Sequence, residues 1–330
     1  PGDGTPFERL APAGVPQQHV GDGPLVTIVM SVFKPDESLI TALRSLREQT
    51  WSNLQILVVD DCSPEEFIPF IEKATSIDDR IEFHRMPVNG GTYKIRNYCL
   101  GIARGEFFGF LDSDDWSHPE RVERQVKAMI ADPELVASLS TAIRAFPDLR
   151  LNKVGYSSMR SNASSLLFRV APVVAALGRF DEVRKGGDSE FQERIVTIFG
   201  PERVLMSDEP LSVVQLSHGS LSRLDFSFGW RNPNRLAYRH DFVYWHQRIA
   251  RGEVSGFLGE DRTRPFPAPR SFLGADKEAR RTDVLVVADW RAGVGRYDAV
   301  ADEAAALAGA GMSVAIAQGE VMRYATRARV

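Results

Sequence analysis

The sequence predicts an α/β fold with a mixed, mostly parallel sheet flanked by helices, and three observations carry that prediction. Continuous apolar runs of strand length recur through the first third of the chain. Helical periods alternate with them. Acidic residues gather just beyond the ends of the second and fourth runs. Runs without an apolar–polar alternation indicate strands buried on both faces, as in a parallel sheet. In such sheets ligands lie beyond the carboxyl ends of the strands, so polar residues collected there are the informative ones.

The elements follow in order. Residues 25–32 form the first apolar run. Leu39, Ile40, Leu43 and Leu46 then repeat with a helical period over 38–49, with Asp36 or Ser38 placed to cap the start. A second strand at 54–59 runs into Asp60 and Asp61. A helix over 64–74, a short strand at 81–85, a turn at Asn89, Gly90 and Gly91, and a helix over 93–103 come next. A fourth strand at 107–111 leads directly into Asp112, Ser113, Asp114 and Asp115. Unbroken strand–helix alternation of this kind is a doubly wound half-sheet. A helix over 120–131 follows. Further on the pattern loosens, with strands expected near 137–141, 165–169 and 211–215, and helices over 188–199 and 236–252. The last of these is dense in aromatic and basic residues and is expected to be a lid or packing helix.

Both ends read differently. Residues 1–23 are rich in Pro, Gly and Gln and are expected to be a flexible lead-in. A Pro-, Arg- and Gly-rich stretch marks a linker over 259–281. Beyond it a strand, an Ala-rich helix and another strand start a second α/β unit over 282–330, too short to be a complete domain. Gly293 and Gly295 are a weak phosphate-loop signal there, and turn glycines serve equally well.

Composition narrows the function. Hydrophobic content of 43% and charged content of 25% are those of a globular protein. With 40 Lys+Arg against 44 Asp+Glu, no basic surplus points to nucleic acid. Cys62 and Cys99 have no partners at metal-ligand spacing and read as small buried hydrophobes. No apolar run approaches the roughly 18 residues of a membrane span, and no signal-peptide pattern follows Pro1. The expectation is a cytoplasmic protein. A start at Pro1 rather than Met suggests a piece of a longer chain.

The acidic cluster carries chemistry or a cap. Three carboxylates within four residues repel one another unless a cation offsets them, and hard oxygen ligands suit Mg²⁺ or Mn²⁺. Along extended chain Asp112 and Asp114 point the same way. The alternative is an acidic loop capping the helix that starts near Glu120.

Other motifs break the tie. Val58, Val59, Asp60, Asp61 and Ser63 form a "VVDDxS" strand end. Asn89 to Asn97 reads "NxGxxxxRN", and Gly105 to Asp115 reads "GExxxFLDxDD". In this order and spacing the chain resembles the family 2 glycosyltransferases of the GT-A fold, over roughly residues 24–250 and most strongly before 120. The resemblance divides that domain, taken as 24–258, into a nucleotide-binding half (24–118) and an acceptor half (119–258).

What the resemblance implies falls on particular residues. Phe33 would lie near the nucleotide base, and Asp61, with Asp60 beside it, would hydrogen-bond that base. Arg96 would sit near the nucleotide. Asp112, followed by Ser113, would lie beside ribose and sugar. Asp114 would bind the metal with Asp115 in support. The general base would be Asp188 at a helix start, with Glu190 in reserve, although the Glu usual before that Asp is Gly187 here. Capping of the helix by Asp188 is the alternative, and the two roles are compatible. His218 is a candidate late metal ligand or phosphate contact.

The implied activity is inverting, metal-assisted transfer of one sugar from a nucleotide-sugar, by default a UDP-sugar, to a hydroxyl acceptor, in surface polysaccharide or glycoconjugate synthesis. The Gln-x-x-Arg-Trp element of processive synthases is missing, which favours single addition. A lipid-linked acceptor would bring the protein to the inner face of the membrane. Two other readings stand beside it: a non-catalytic glycan- or nucleotide-binding module, and a sugar nucleotidyltransferase. The latter would want a glycine-rich loop after the first strand, where this chain has Val32, Phe33, Lys34 and Pro35.

Overall fold

The computed structural model describes residues 4–11, 20–151, 158–216, 226–227, 230–261, 264–274, 282–288 and 297–318. In chain order the elements begin β1 (Val26–Val32), α1 (Ser38–Arg47), β2 (Leu54–Asp60), α2 (Ile68–Thr75), β3 (Ile81–Arg85), α3 (Thr92–Ile102) and β4 (Phe107–Phe110). Then come β5 (Trp116–Ser117), α4 (Arg121–Ala131), β6 (Ala137–Ala145), β7 (Met159–Ser161), β8 (Leu167–Arg169), α5 (Val170–Leu177), α6 (Gly187–Phe199) and β9 (Val204–Gln215). The rest are β10 (Phe226–Ser227), β11 (Trp230–Arg231), α7 (Pro233–Ala250), β12 (Val284–Ala288), α8 (Tyr297–Gly309) and β13 (Val314–Gln318).

One sheet runs β3-β2-β1-β4-β8-β6-β9-β5, with β7 added beside β6. The β3-β2-β1-β4 half is parallel throughout, while β8 enters antiparallel to β4 and β6. The mixed, mostly parallel sheet expected from the apolar runs is present.

Both faces are covered, which explains why the runs lack alternation. Val26, Ile28, Met30 and Val32 pack with Leu39, Leu43 and Leu46 of α1 and with Val122 and Val126 of α4. Val29 points the other way, into a core with Ile95 of α3, Phe110, Phe168 and Phe191 of α6. Each fully buried Leu, Ile or Phe contributes roughly 1.5–3 kcal/mol, so these two layers hold the strand ends in place. The ends carry the polar groups.

Three stretches differ from expectation. Phe7, in the expected lead-in, is fully buried, and its amide donates to the Pro147 carbonyl at 2.9 Å. One aromatic anchor suffices to dock a stretch whose composition alone suggests a coil. Within the linker expected over 259–281, residues 264–272 pack against the domain: Phe266 and Phe272 are buried beside Tyr238. The strand expected at 211–215 begins at Val204. Pro210 falls where the pairing of β6 with β9 shifts register, and a proline is accommodated at such a bulge.

Asp181 ties this C-terminal packing together. It accepts from the Tyr238 hydroxyl at 2.9 Å and from Arg264 through Nε and Nη2, the latter at 2.6 Å. Removing one member of a buried network strands the others. Asp181→Ala is therefore expected to cost about 3 kcal/mol, measured as a lower urea midpoint at unchanged slope. The helix expected over 236–252 is a packing helix, with Tyr238, Phe242, Trp245 and His246 all buried.

Beyond residue 281, β12 and β13 pair in parallel as a separate two-stranded sheet with α8 between them. This matches the strand–helix–strand order expected there. Gly293 and Gly295 lie outside the described residues. No helix among the described residues is long and apolar enough to cross a membrane.

Candidate functional site

A cavity of about 870 Å³ opens at the carboxyl ends of β1, β2 and β4. The start of α3, the loop before α6, the end of β9 and Arg235 of α7 complete its wall. Phe33, Asp61, Arg96, Asp112, Ser113, Asp114, Asp115 and Asp188 all line it. Eight residues picked from the sequence, spread over more than a hundred positions, therefore share one space.

The β2 end and the turn at residues 89–91 clasp each other. The two carboxylate oxygens of Asp61 accept the amides of Gly90 at 2.7 Å and Gly91 at 2.8 Å, and Asn89 donates to the Asp61 carbonyl. Burial raises the Asp61 carboxyl above its usual range, against the pull of the two amides. Phe33 stands across the cavity wall, 47% exposed, an aromatic face open to a planar ligand. Asp60 is a correction. It does not line the cavity but sits fully buried beneath it, accepting from the Ser63 amide at 3.0 Å with Arg85 Nε at 3.3 Å. Adjacent carboxylates at a strand end point to opposite sides, so only one of the pair meets a ligand.

Arg96 is 3% exposed and lies over the Phe110 ring at 3.9 Å. Its Nη2 is 3.7 Å from Asp112 Oδ1, and its buried Nη1 has no hydrogen-bond partner among the described residues. A buried guanidinium with an unused N–H on a cavity wall suits an anionic ligand oxygen. The other Asp112 oxygen accepts from Ser164 at 2.7 Å. Ser164 lies outside every motif, and nothing in the sequence singles it out.

Asp114 and Asp115 are both raised by burial and differ in their hydrogen bonds. The carboxyl of Asp114 is raised to about 7 by burial and by the neighbouring charge of Asp112. Asp115 is buried, and its Oδ1 accepts the Gln215 amide at 3.1 Å. Burial, then Asp114 and Asp112, pushes its carboxyl well up. Asp115 thus locks the end of β4 to the end of β9 and supports Asp114 from below. Arg121 lies under the same turn, its pKa lowered to about 10 by burial, and Nε donates to Ser117 at 2.7 Å.

The residues fit a divalent cation in part. Asp112 and Asp114 are hard-oxygen donors on one cavity wall, and their mutual repulsion is the kind a cation relieves. Among the described residues no group of three His, Cys, Asp or Glu side chains forms a preassembled metal site. Remaining ligands would have to come from a bound diphosphate. His218 lies outside the described residues.

At the α6 end, Asp188 Oδ1 accepts from Tyr93 at 3.0 Å and from the Ser189 amide at 2.8 Å. Glu190 is a second correction. It is fully buried, paired with Arg194 at 2.9 Å and His246 at 3.1 Å, and it is not among the cavity residues. Two positions beyond Asp188 on a helix, the chain has turned through about 200°, so Glu190 faces the core. Arg184 and Lys185 also line the cavity. Arg184 donates to Asn89 Oδ1 at 2.5 Å, and the pair of adjacent cations shortly before Asp188 is the signal that could have found them.

Parts of the chain are similar to known proteins. Residues 27–174 match the family model described as glycosyl transferase family 2. EpsH of Bacillus subtilis, named as a glycosyltransferase, is 33% identical over 113 residues, covering 34% of this chain and 33% of its own. The hyaluronan synthase of Pasteurella multocida is 27% identical over 151 residues, 46% of this chain and 15% of its length. The chain thus spans a third or less of these relatives. Residues 1–349 of S. aureus TarS, solved in complex with UDP, superpose with a TM-score of 0.52 at 18% identity, covering 70% of this chain and 67% of that one. Residues 27–174 are thus similar to glycosyl transferase family 2, on a mixed α/β fold shared with that structure.

Proposed function

We propose that this domain transfers a sugar from a nucleotide-sugar, by default a UDP-sugar, to a hydroxyl acceptor with inversion at the anomeric carbon. One observation carries the reading: Asp188, at a helix start, shares a cavity with Asp112 and Asp114 at the end of β4. Inverting displacement requires a base on the face of the sugar opposite the departing diphosphate. A carboxylate from a separate element facing the acidic strand end supports that arrangement.

The residues divide the work. Phe33 would pack against the base and Asp61 would accept a hydrogen bond from it. Its two backbone bonds fix the carboxylate in advance. Arg96 would hold Asp112 beside the ribose and sugar and offer Nη1 to a phosphate or sugar oxygen. Ser113 would approach the same group. Asp114, with Asp112 beside it, would hold Mn²⁺ or Mg²⁺ against the diphosphate, and the ion would supply charge neutralisation for the leaving group. Asp188 would take the proton from the acceptor hydroxyl as its oxygen bonds to the anomeric carbon and the sugar–phosphate C–O bond breaks.

Thermal-shift screening of UDP-, GDP- and dTDP-sugars with and without Mn²⁺ tests the binding half. Nucleoside diphosphate release with octyl glycosides or water as acceptor tests the chemistry. Metal-dependent stabilisation by one donor class together with its turnover is the expected result. Tight binding of a donor or glycan without any diphosphate release would make the domain a binding module instead.

A further inference from the structure

The first turns of α3 hold three parts of the site at once. Thr92 Oγ1 lies 2.7 Å from Ser31 Oγ at the end of β1. Tyr93 donates its phenol proton to Asp188 Oδ1 at 3.0 Å. Arg96 Nη2 stands 3.7 Å from Asp112 Oδ1. One rigid helix therefore spans the donor side and the α6 side of the cavity.

We propose that Tyr93 is the positioning residue for Asp188, holding its carboxylate at a fixed setting relative to the donor through α3. This rests on the reading of Asp188 as the general base and adds a residue to it. The hydrogen-bond pattern supplies the argument. Tyr93 and the Ser189 amide both donate to Oδ1, and no described donor reaches Oδ2. One oxygen is used for orientation and the other is left for the acceptor's proton. A carboxylate rotating about χ2 would offer either oxygen in many directions, and misplacement by about 1 Å can cost on the order of a hundredfold.

Packing explains why the tyrosine can reach. Its ring is buried, 4% exposed, and packs against Phe180 with planes 21° apart. Gly187, one residue before Asp188, lies against that ring. A Cβ there would fall 3.1 Å from Tyr93 Cδ2 and 3.0 Å from the Asp181 carbonyl oxygen, closer than a side chain tolerates without movement of the ring or the backbone. Gly186 before it has φ of +80°, a conformation that glycine adopts without steric cost. Gly187, at the position where the resemblance expects a Glu, thus leaves the space that the Tyr93 ring occupies. The phenol remains a donor rather than a base. Burial, and then the charge of Asp188, pushes its pKa far above the ordinary tyrosine value.

The test is a double-mutant cycle on nucleoside diphosphate release, with octyl glycosides and with water as acceptors. Tyr93→Phe keeps the ring and is expected to lower kcat about tenfold, leaving donor KM and Tm near the wild-type values. In the Asp188→Asn background the same change is expected to have no further effect, because the oriented base is already gone. Gly187→Ala, which crowds the ring, is expected to reproduce the kcat loss. The inference is overturned if Tyr93→Phe leaves kcat unchanged, or if it slows Asp188→Asn by the same factor as wild type. Wild-type turnover by Asp188→Asn would overturn the base assignment itself, a separate result.

Discussion

Asp188→Asn is expected to lower the rate of the proposed transfer by about 10²–10⁴-fold while the donor KM changes little. That range is what a positioned general base contributes, and the split follows from where the side chain sits. Asp188 belongs to α6, whereas the groups expected to hold the nucleotide end β1, β2 and β4. Asparagine keeps the size and the oxygen that Tyr93 binds, so the protein should melt at the wild-type temperature. Had the carboxylate gripped the bound donor in its ground state, the substitution would raise KM. An interaction made only as the proton moves appears in kcat. Steady-state nucleoside diphosphate release over a range of donor concentrations separates the two. Normal kcat in the variant would move the base elsewhere on the cavity wall.

Glu190 sharpens this expectation. It is the carboxylate the sequence offers in reserve, and the fold removes it from contention. With Arg194 and His246 it forms a fully buried cluster linking α6 to α7. Its loss should show as unfolding, because truncating it leaves the Arg194 charge buried and uncompensated. Asp188 and Glu190 are thus separable by experiment, one through turnover and one through stability.

Much of this site is legible in the sequence, for a physical reason. Parallel strands buried on both faces leave long apolar runs, and their carboxyl ends must carry the polar residues that meet a ligand. Asp61, Asp112 and Asp114 therefore stand out from the residue pattern alone. That pattern does not say how the neighbours in each acidic pair divide between the cavity and the protein beneath it. Asp60 and Asp61 are chemically equivalent on paper, and Asp114 and Asp115 differ only in which of them finds the Gln215 amide, a hundred residues away. Ser164 and Tyr93 are hidden in the same way, because their partners Asp112 and Asp188 are 52 and 95 positions distant. The short β5 is two residues long, below the length at which a period exists. In α5 Pro172 and a run of Val and Ala conceal a helix whose buried side chains are only Val173 and Leu177. Aromatic anchors explain the docked ends: Phe7, Phe266 and Phe272 each sit in stretches whose overall composition suggests a coil.

The second large effect is a reversal of pH dependence on metal binding. Asp114 has a carboxyl raised to about 7 by burial and by Asp112, whereas an unfolded aspartate titrates near 3.9. Between those values the folded ligand-free protein binds more protons than the unfolded chain. Its stability therefore declines as the pH rises towards about 7 and levels off above it. A cation has the opposite requirement, since it competes with that proton for the carboxylate. Its affinity should weaken roughly tenfold for each unit below 7. Melting of the ligand-free protein from about pH 5 to about pH 7 should consequently show a falling Tm. The increment added by Mn²⁺ and UDP should grow over the same range. Asp114→Asn removes one of the raised carboxyls and eases the neighbouring Asp115, whose own rise owes part to Asp114, so it should shrink the first trend and abolish most of the second. An Asp114→Asn protein with the wild-type slope and the full Mn²⁺ increment would show that the cation is held by other residues. The acidic strand end would then be only a capped turn.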